Sequence, residues 1–137
     1  MGDIRKFKAK KIWQGKASGP ALVTRERFSF SGFVDPKRGI FSSPMTELKG
    51  SSFIGAVLIF TSGDGSSTGP SALDLACRYG NCPAAIVNLE IDPYIVQGCV
   101  FQNIPMVQVE DPSIFDQVKN GDTVTVDTDR GEVIASI

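Results

Sequence analysis

The 137-residue chain contains no histidine, one tryptophan and only three cysteines. Without histidine, no Ser-His-Asp triad can form within the chain, which argues against a self-contained serine hydrolase. Cys77, Cys82 and Cys99 are an odd number with no Cys-x-x-Cys pair. This pattern favours reduced thiols over a disulfide framework or a zinc site, so the expected location is the cytoplasm.

Charge of one sign and long apolar runs are also missing. The formal net charge is −1, which gives no reason to expect nucleic acid or a membrane as partner. The one basic run, residues 5–11, is interpreted as an edge strand with lysines facing water. The longest apolar run, residues 56–60, is too short to span a bilayer. No signal peptide is expected, and Lys6 argues against myristoylation of Gly2.

The length and the 42% hydrophobic content suit one compact domain over residues 1–137. The first third is rich in glycine and proline turns between short candidate strands at 7–13, 21–24 and 27–30. This spacing predicts a small antiparallel β layer or partial barrel.

From residue 55 onward, buried strands alternate with helices, which predicts a parallel sheet layer and an α/β class. The predicted strands are 56–60, 84–89 and 104–109, followed by a hairpin of 123–127 and 132–137. The predicted helices are 70–79, 93–102 and one from Asp111-Pro112 to Asn120-Gly121.

A glycine- and serine-rich loop follows the first buried strand, where parallel sheets gather ligands. It consists of Gly63, Asp64, Gly65, Ser66, Ser67, Thr68 and Gly69. Outward-facing amides and the start of the next helix would favour an anion there, with hydroxyl groups as further donors. The alternative on local sequence is a connector in which Ser67 or Thr68 caps the helix.

Known motifs narrow the chemistry of this loop. It has no lysine for a P-loop, and its glycines do not fit the G-x-G-x-x-G spacing. Residues 65–69 match the G-x-S-x-G nucleophile elbow with Ser67 at its centre, but the partner histidine is missing. A serine near a helix N-terminus can instead serve as a base for a weakly acidic C–H bond. Since the chain has no convincing set of metal ligands, the sequence describes half of a site.

Three polar residues follow the second buried strand, on the side of the sheet where the loop is expected. Asn88 and Glu90 could orient substrate or contact a partner, or Glu90 could simply be solvated. Asp92 is interpreted as the cap of the helix that begins at Pro93.

Seven segments occur along the chain in a recognisable order: GKASGPALV at 15–23, FSF at 28–30, GFVDP at 32–36, GDGSSTG at 63–69, PAAIVNLE at 83–90, IPMV at 104–107 and NGD at 120–122. In order and spacing they resemble the small subunit, or swivel domain, of the aconitase X family of hydro-lyases. The resemblance implies a swivelling β/β/α fold that closes over a large subunit as a heterodimer. It implies that this chain binds no cofactor and that an iron–sulfur cluster lies on the partner subunit.

The resemblance also implies roles for residues of the loop. Ser66, rather than Ser67, would be the proton acceptor in the dehydration of phosphomevalonate or cis-3-hydroxy-L-proline. From the residues themselves, the rest of the substrate site is predicted to comprise Gly63, Asp64, Gly65, Ser67, Thr68, Asn88 and Glu90.

The chain departs from the family pattern in two places. Ser43-Pro44 replaces a common His-Pro pair within a slightly longer segment, residues 42–50. Asp64 replaces a common basic residue, which argues against a phosphorylated substrate and suggests pairing with a substrate ammonium or a partner arginine.

The alternative to catalysis is a non-catalytic module that binds a small anion or another protein. An exposed aromatic among residues 28–33 would mark a subunit interface.

Overall fold

The computed structural model describes residues 3–137 as ten strands and three helices. The strands are β1 (Ile4–Lys8), β2 (Lys10–Trp13), β3 (Lys16–Val23), β4 (Val34–Asp35), β5 (Ile40–Phe41), β6 (Val57–Phe60), β7 (Ala85–Asn88), β8 (Met106–Gln108), β9 (Thr123–Asp127) and β10 (Glu132–Ser136). The helices are α1 (Gly69–Arg78), α2 (Pro93–Gln102) and α3 (Ile114–Gln117). The prediction about Gly2 lies outside the described residues.

Eight of the strands form one strongly curved sheet, in the order β1, β10, β9, β3, β6, β7, β8 and β2. Its two end strands, β1 and β2, are separated in sequence only by Ala9. Because residues adjacent in sequence are adjacent in space, the sheet must curl until its ends meet at Ala9. The predicted strand 7–13 is therefore wrong as one strand, since its halves pair with opposite ends of the sheet. The result is a partial barrel.

Strand β3 joins the antiparallel and parallel parts of the sheet. It pairs antiparallel with β9 on one side and parallel with β6 on the other, where Ala21 lies opposite Val57. β6, β7 and β8 continue the parallel layer. β4 and β5 form a separate two-stranded antiparallel sheet. The predicted α/β class is thus confirmed, with the two β parts sharing one strand.

The apolar run of β6 is continuous because both of its faces are buried. Val57 and Ile59 pack inside the barrel, whereas Leu58 and Phe60 pack against the helical layer. All four side chains are at most 1% exposed. A strand between two cores needs apolar residues at every position, which explains the run in the sequence.

The helices agree with the sequence predictions to different degrees. α2 has the predicted bounds, Asp92 accepts a hydrogen bond from the Tyr94 amide as its cap, and α1 is offset by one residue. α3 has only four residues, because Val118 is already extended, with φ −106° and ψ 129°. Beyond it, the Asn120 side chain accepts a hydrogen bond from the Val23 amide and fixes the segment to β3.

The predicted strand 27–30 is wrong. Only Arg27 forms a β-bridge, with Ser62, while Phe28 and Phe30 are buried in the core. Phe33 is partly buried against the same core, so no aromatic ring of this segment is an exposed interface marker. The backbone here follows the packing of the rings rather than a strand ladder.

The prediction of three reduced thiols is also wrong. Cys77 and Cys82 form a disulfide, while Cys99 is free and buried. The turn at Gly80, with φ +79°, returns the chain at the end of α1 and brings the two Cα atoms to 4.5 Å. Sequence spacing did not reveal the pair because a short turn, not a known motif, creates it. Within residues 3–137, no helix is long and apolar enough to cross a membrane.

Candidate functional site

The glycine- and serine-rich segment of residues 63–69, here named the serine loop, lies where β6 ends and α1 begins. β3, β6 and β7 run parallel, so their carboxyl ends share one rim of the sheet. Two segments are fixed at this rim: Thr61 accepts hydrogen bonds from the amides of Leu89 and Glu90, and Ser62 accepts one from the amide of Phe28. The loop thus begins from a backbone held on both sides.

Asp92 anchors the loop at its centre. The Gly65 amide donates to Asp92 Oδ2 at 2.7 Å, while the Tyr94 amide donates to Asp92 Oδ1 at 2.8 Å. Gly65 has φ +83°, a left-handed conformation that glycine adopts without strain. The expectation that the Gly65 amide faces outward toward a ligand is therefore wrong. Its proposed part in substrate binding stays a prediction.

Asp64 stabilises a turn inside the loop. Its Oδ1 atom accepts a hydrogen bond from the Ser66 amide at 3.1 Å, the geometry by which aspartate closes a local turn. One carboxylate oxygen thus has a donor within the loop itself. This contact gives Asp64 a structural reason for its place beside a site expected to attract anions.

Three hydroxyl groups are linked beside the start of α1. Thr68 Oγ1 donates to Ser31 Oγ at 2.8 Å, and Ser66 Oγ lies 3.1 Å from Thr68 Oγ1. Because a threonine hydroxyl carries one proton, donation to Ser31 leaves Ser66 as the donor to Thr68. Ser66 is half-buried, whereas Ser67 is exposed. The arrangement distinguishes the two serines: within residues 3–137 the Ser66 hydroxyl has a hydroxyl partner, and the Ser67 hydroxyl has none.

The N-terminus of α1 has no side-chain cap. Thr68 occupies the cap position, but neither its hydroxyl nor that of Ser67 caps the helix, so the capping alternative is wrong. Within the described part of the chain, the amides of Ser67 and Thr68 have no hydrogen-bond acceptor. Unpaired amides at a ten-residue helix start carry partial positive charge, which stabilises a nearby negative charge.

The other two predicted site residues lie in contrasting environments. Asn88 is fully buried, and its Nδ2 atom donates to the carbonyl oxygens of Phe60 and Val87 at 3.2 Å. Its Oδ1 atom has no partner in residues 3–137. Glu90 is exposed and pairs with Arg27 at 2.6 Å. Asn88 is therefore buried beneath the rim, where it binds two strand carbonyl oxygens, and Glu90 lies on the surface of the rim.

Sequence reasoning missed two arginines of this rim. Arg27 bridges to Ser62, directly before the serine loop, and its partner is Glu90. Arg25 pairs with Asp116 at 2.6 Å and stacks over Phe115. Neither arginine was predicted as a site residue, because both lie in a segment that the sequence pattern assigned to the antiparallel layer. Ser31 was missed as well, since nothing in its local sequence links it to Thr68.

The described residues do not fit a metal centre or an iron–sulfur cluster. Within 3–137, no group of three or more histidine, cysteine, aspartate or glutamate side chains could hold a metal ion. Cys77 and Cys82 are bonded to each other. Burial raises the pKa of the Cys99 thiol to about 12, so that residue does not supply a thiolate near neutral pH.

Comparisons with known proteins cover almost the whole chain. Residues 6–135 match the aconitase X swivel domain. A protein of Methanothrix thermoacetophila named phosphomevalonate dehydratase small subunit is 42% identical, over 93% of this chain and 93% of that protein. A protein of the same name from Archaeoglobus fulgidus is 40% identical, over 93% of this chain and 96% of that protein.

A solved structure agrees with these sequence matches. The crystal structure of Thermococcus kodakaraensis aconitase X in its holo form superposes with a TM-score of 0.88 at 34% identity, covering 97% of this chain and 99% of that one. Family and fold both agree with the resemblance read from the sequence. The chain therefore belongs to the aconitase X family, as a swivel domain.

Proposed function

We propose that this chain is the small subunit of a two-subunit hydro-lyase that dehydrates phosphomevalonate, with Ser66 as the proton acceptor. The names of its relatives support the activity and the larger partner. The observation that carries the role of Ser66 is its half-buried hydroxyl, linked to Thr68 at the uncapped start of α1.

In the proposed reaction Ser66 removes a proton from the carbon next to the one that bears the leaving hydroxyl. The electron pair of that C–H bond forms the new double bond, and the hydroxyl leaves as water after gaining a proton. Ser66 must therefore first pass its own hydroxyl proton to water and react as an alkoxide, whose negative charge needs nearby donors. The start of α1 offers them through the amides of Ser67 and Thr68.

Thr68 supplies the most direct stabilisation of that alkoxide. In the resting arrangement its proton points at Ser31. When Ser66 loses its proton, the Thr68 hydroxyl can turn and donate to Ser66 Oγ, while Ser31 donates to Thr68 in return. Two bonds are kept throughout, so the switch exchanges donors without leaving a hydroxyl unpaired.

The acid that assists the departing hydroxyl is expected on the partner. The described residues offer neither a histidine nor a metal-ligand group for that task. The family resemblance puts an iron–sulfur cluster on the large subunit, and we keep that as an expectation. This chain's own contribution is proton removal and the positioning of the serine loop.

Asp64 has a structural role in the serine loop that supports its presence beside a site for a phosphorylated substrate. Its carboxylate closes the turn to the Ser66 amide, so the residue has a role that does not require a substrate ammonium. Arg27, half exposed on the rim, forms the β-bridge to Ser62 directly before the serine loop. If Glu90 releases it, Arg27 can pair with a phosphate or carboxylate of the substrate.

The experiment is to assay the chain with and without its co-expressed large subunit. Phosphomevalonate and cis-3-hydroxy-L-proline are offered separately, and loss of water is followed by mass spectrometry. We expect turnover of phosphomevalonate by the complex only. Turnover of cis-3-hydroxy-L-proline instead would overturn the substrate assignment. Tight binding of inorganic phosphate by the chain, with no lyase activity in the complex, would support a non-catalytic anion-binding module.

A further inference from the structure

We infer that Asp92 is a positioning residue for Ser66, in addition to its role as the cap of α2. The inference rests on the proposed function of Ser66. Its basis is one buried carboxylate that connects the start of α2 with the middle of the serine loop.

The two oxygens of Asp92 have separate partners. A helix cap needs one oxygen, and Oδ1 fills that need at the Tyr94 amide. Oδ2 accepts instead from Gly65, 27 residues earlier in the chain. Both distances, 2.7 and 2.8 Å, are in the range of charge-assisted hydrogen bonds. The second contact is therefore an additional bond that capping does not explain.

The surroundings of Asp92 make the contact specific. Its side chain is 7% exposed, and it forms no salt bridge within residues 3–137. A buried carboxylate without a cation depends on hydrogen bonds for its stability. The amides of Gly65 and Tyr94, together with the partial positive charge at the start of α2, hold the charge. Removal of either bond leaves that charge undercompensated.

Gly63 shows how closely the loop approaches this carboxylate. A Cβ atom at Gly63 would overlap Asp92 Oδ2 and lie 2.8 Å from Ile95 Cγ1. Only glycine fits where the loop backbone lies directly against Asp92. The serine loop is thus held against Asp92 by the hydrogen bond from Gly65 and by the close contact at Gly63.

The contact between Asp92 and the serine loop fixes the position of Ser66. Asp92 holds the Gly65 amide and Asp64 holds the Ser66 amide, so the two successive peptides that lead into Ser66 are fixed. Displacement of a reacting group by about 1 Å can cost on the order of 100-fold in rate. Loss of the Asp92 anchor should therefore lower kcat while leaving substrate affinity nearly intact.

Asp92→Asn separates the two roles of Asp92. Asparagine caps helices as well as aspartate does, but it has a single acceptor oxygen and an NH₂ group in place of the second. The variant can keep the Tyr94 bond only by placing a donor against the Gly65 amide. Asp111→Asn is the matched control, because Asp111 Oδ1 accepts the Ser113 amide at 2.9 Å before α3 and has no contact with the serine loop.

The test uses the complete two-subunit enzyme and a double-mutant cycle with Ser66→Ala. We expect Asp92→Asn to lower kcat by about 10- to 100-fold with KM within about threefold, and Asp111→Asn to change neither. In the Ser66→Ala background, Asp92→Asn should have no further effect, because a positioning residue acts only through the group it positions. Hydrogen exchange by mass spectrometry should show faster exchange in residues 63–69 and an unchanged α2.

Each contrary result has a distinct meaning. An equal loss in the presence and absence of Ser66, or an unchanged kcat with Asp92→Asn, would overturn the role of Asp92. Faster exchange throughout α2 would show that Asp92→Asn lost the helix cap. The test is then repeated with Asp92→Ser, because serine can cap the helix but is too short to reach Gly65. An active Ser66→Ala complex would refute the proposed function itself, whatever Asp92 does.

Discussion

The ring of Phe28 stacks on that of Phe60, with centroids 4.1 Å apart and planes inclined by 27°. Phe60 ends β6, directly before the rim, and the Phe28 amide donates to the Ser62 carbonyl at 3.2 Å. Phe41 meets the Phe28 ring edge-on at 5.3 Å. The irregular first third of the chain is thereby fixed against the strand that carries the serine loop.

Phe28→Ala should destabilise the fold strongly. Phe28 is fully buried, so truncation removes apolar burial and leaves a cavity beside Phe60. The expected loss is about 3–5 kcal/mol in the free energy of unfolding, measured by urea denaturation. Phe101→Ala, at a ring that is 73% exposed, is the control and should change stability by less than about 0.5 kcal/mol. Similar effects of the two variants would contradict the packing described here.

Ser66→Ala should nearly abolish turnover in the complete enzyme. Loss of a positioned base typically lowers kcat by about 10²- to 10⁴-fold, and KM should change little because binding does not depend on this hydroxyl. Steady-state kinetics on the complex measures both constants. Ser67→Ala is the neighbouring control, since its exposed hydroxyl has no partner in the described chain. If Ser67→Ala proved the more damaging change, the nucleophile-elbow interpretation of the loop would be preferred.

Thr68→Val should slow the reaction without unfolding the domain. Valine keeps the shape of threonine but cannot donate to a Ser66 alkoxide, and removal of one such donor typically costs about 10²- to 10³-fold in kcat. Thr68→Ser retains the hydroxyl and should restore most of the activity. Rapid-quench kinetics on both variants provides the measurement. A fully active Thr68→Val would exclude the hydroxyl chain from the mechanism.

The cysteines should differ sharply in reactivity. At pH 8 the native, unreduced chain should react with iodoacetamide at none of its three cysteines, because Cys77 and Cys82 are bonded and burial raises the pKa of Cys99 to about 12. Reduction should expose Cys77 and Cys82 only, and denaturation all three. Mass spectrometry counts the labels. Rapid labelling of Cys99 in the native state would contradict its burial.

The raised pKa of Cys99 also makes the free energy of unfolding depend on pH. The ordinary pKa of the thiol is 9.0, and the folded state raises it to about 12. Below pH 9 both states hold the proton, so the contribution of Cys99 to stability is fully present. Between pH 9 and about 12 the unfolded state releases the proton and the folded state does not, so this contribution declines as pH rises. Cys99→Ala removes this dependence and is the control for the titration.

Periodicity and capping signals were reliable where local sequence decides structure. The start of α2 follows from the Asp92-Pro93 pair, and the bounds of β9 follow from the hairpin to which it belongs. Local signals failed at residues 27–30 and at Ala9. In the first segment ring packing overrides strand pairing, and at Ala9 barrel closure divides one extended segment between two distant partners.

The candidate site was predicted in part for the same reason. The position of the serine loop follows from the strand-to-helix order, and the choice of Ser66 came from the family resemblance. Ser31 and Arg27 were invisible, because contacts across 37 and 63 residues leave no local pattern.

The sequence by itself determined the α/β class, the location of the serine loop and the absence of histidine chemistry. These depend on residue type and on the spacing of neighbours along the chain. Only the tertiary structure decided that Asp92 holds Gly65, that Thr68 connects Ser66 to Ser31, and that Cys77 is bonded to Cys82. Such contacts arise when the sheet curls and the helices pack, and hydrogen-bond geometry at 2.7–3.1 Å exists only after that packing is complete.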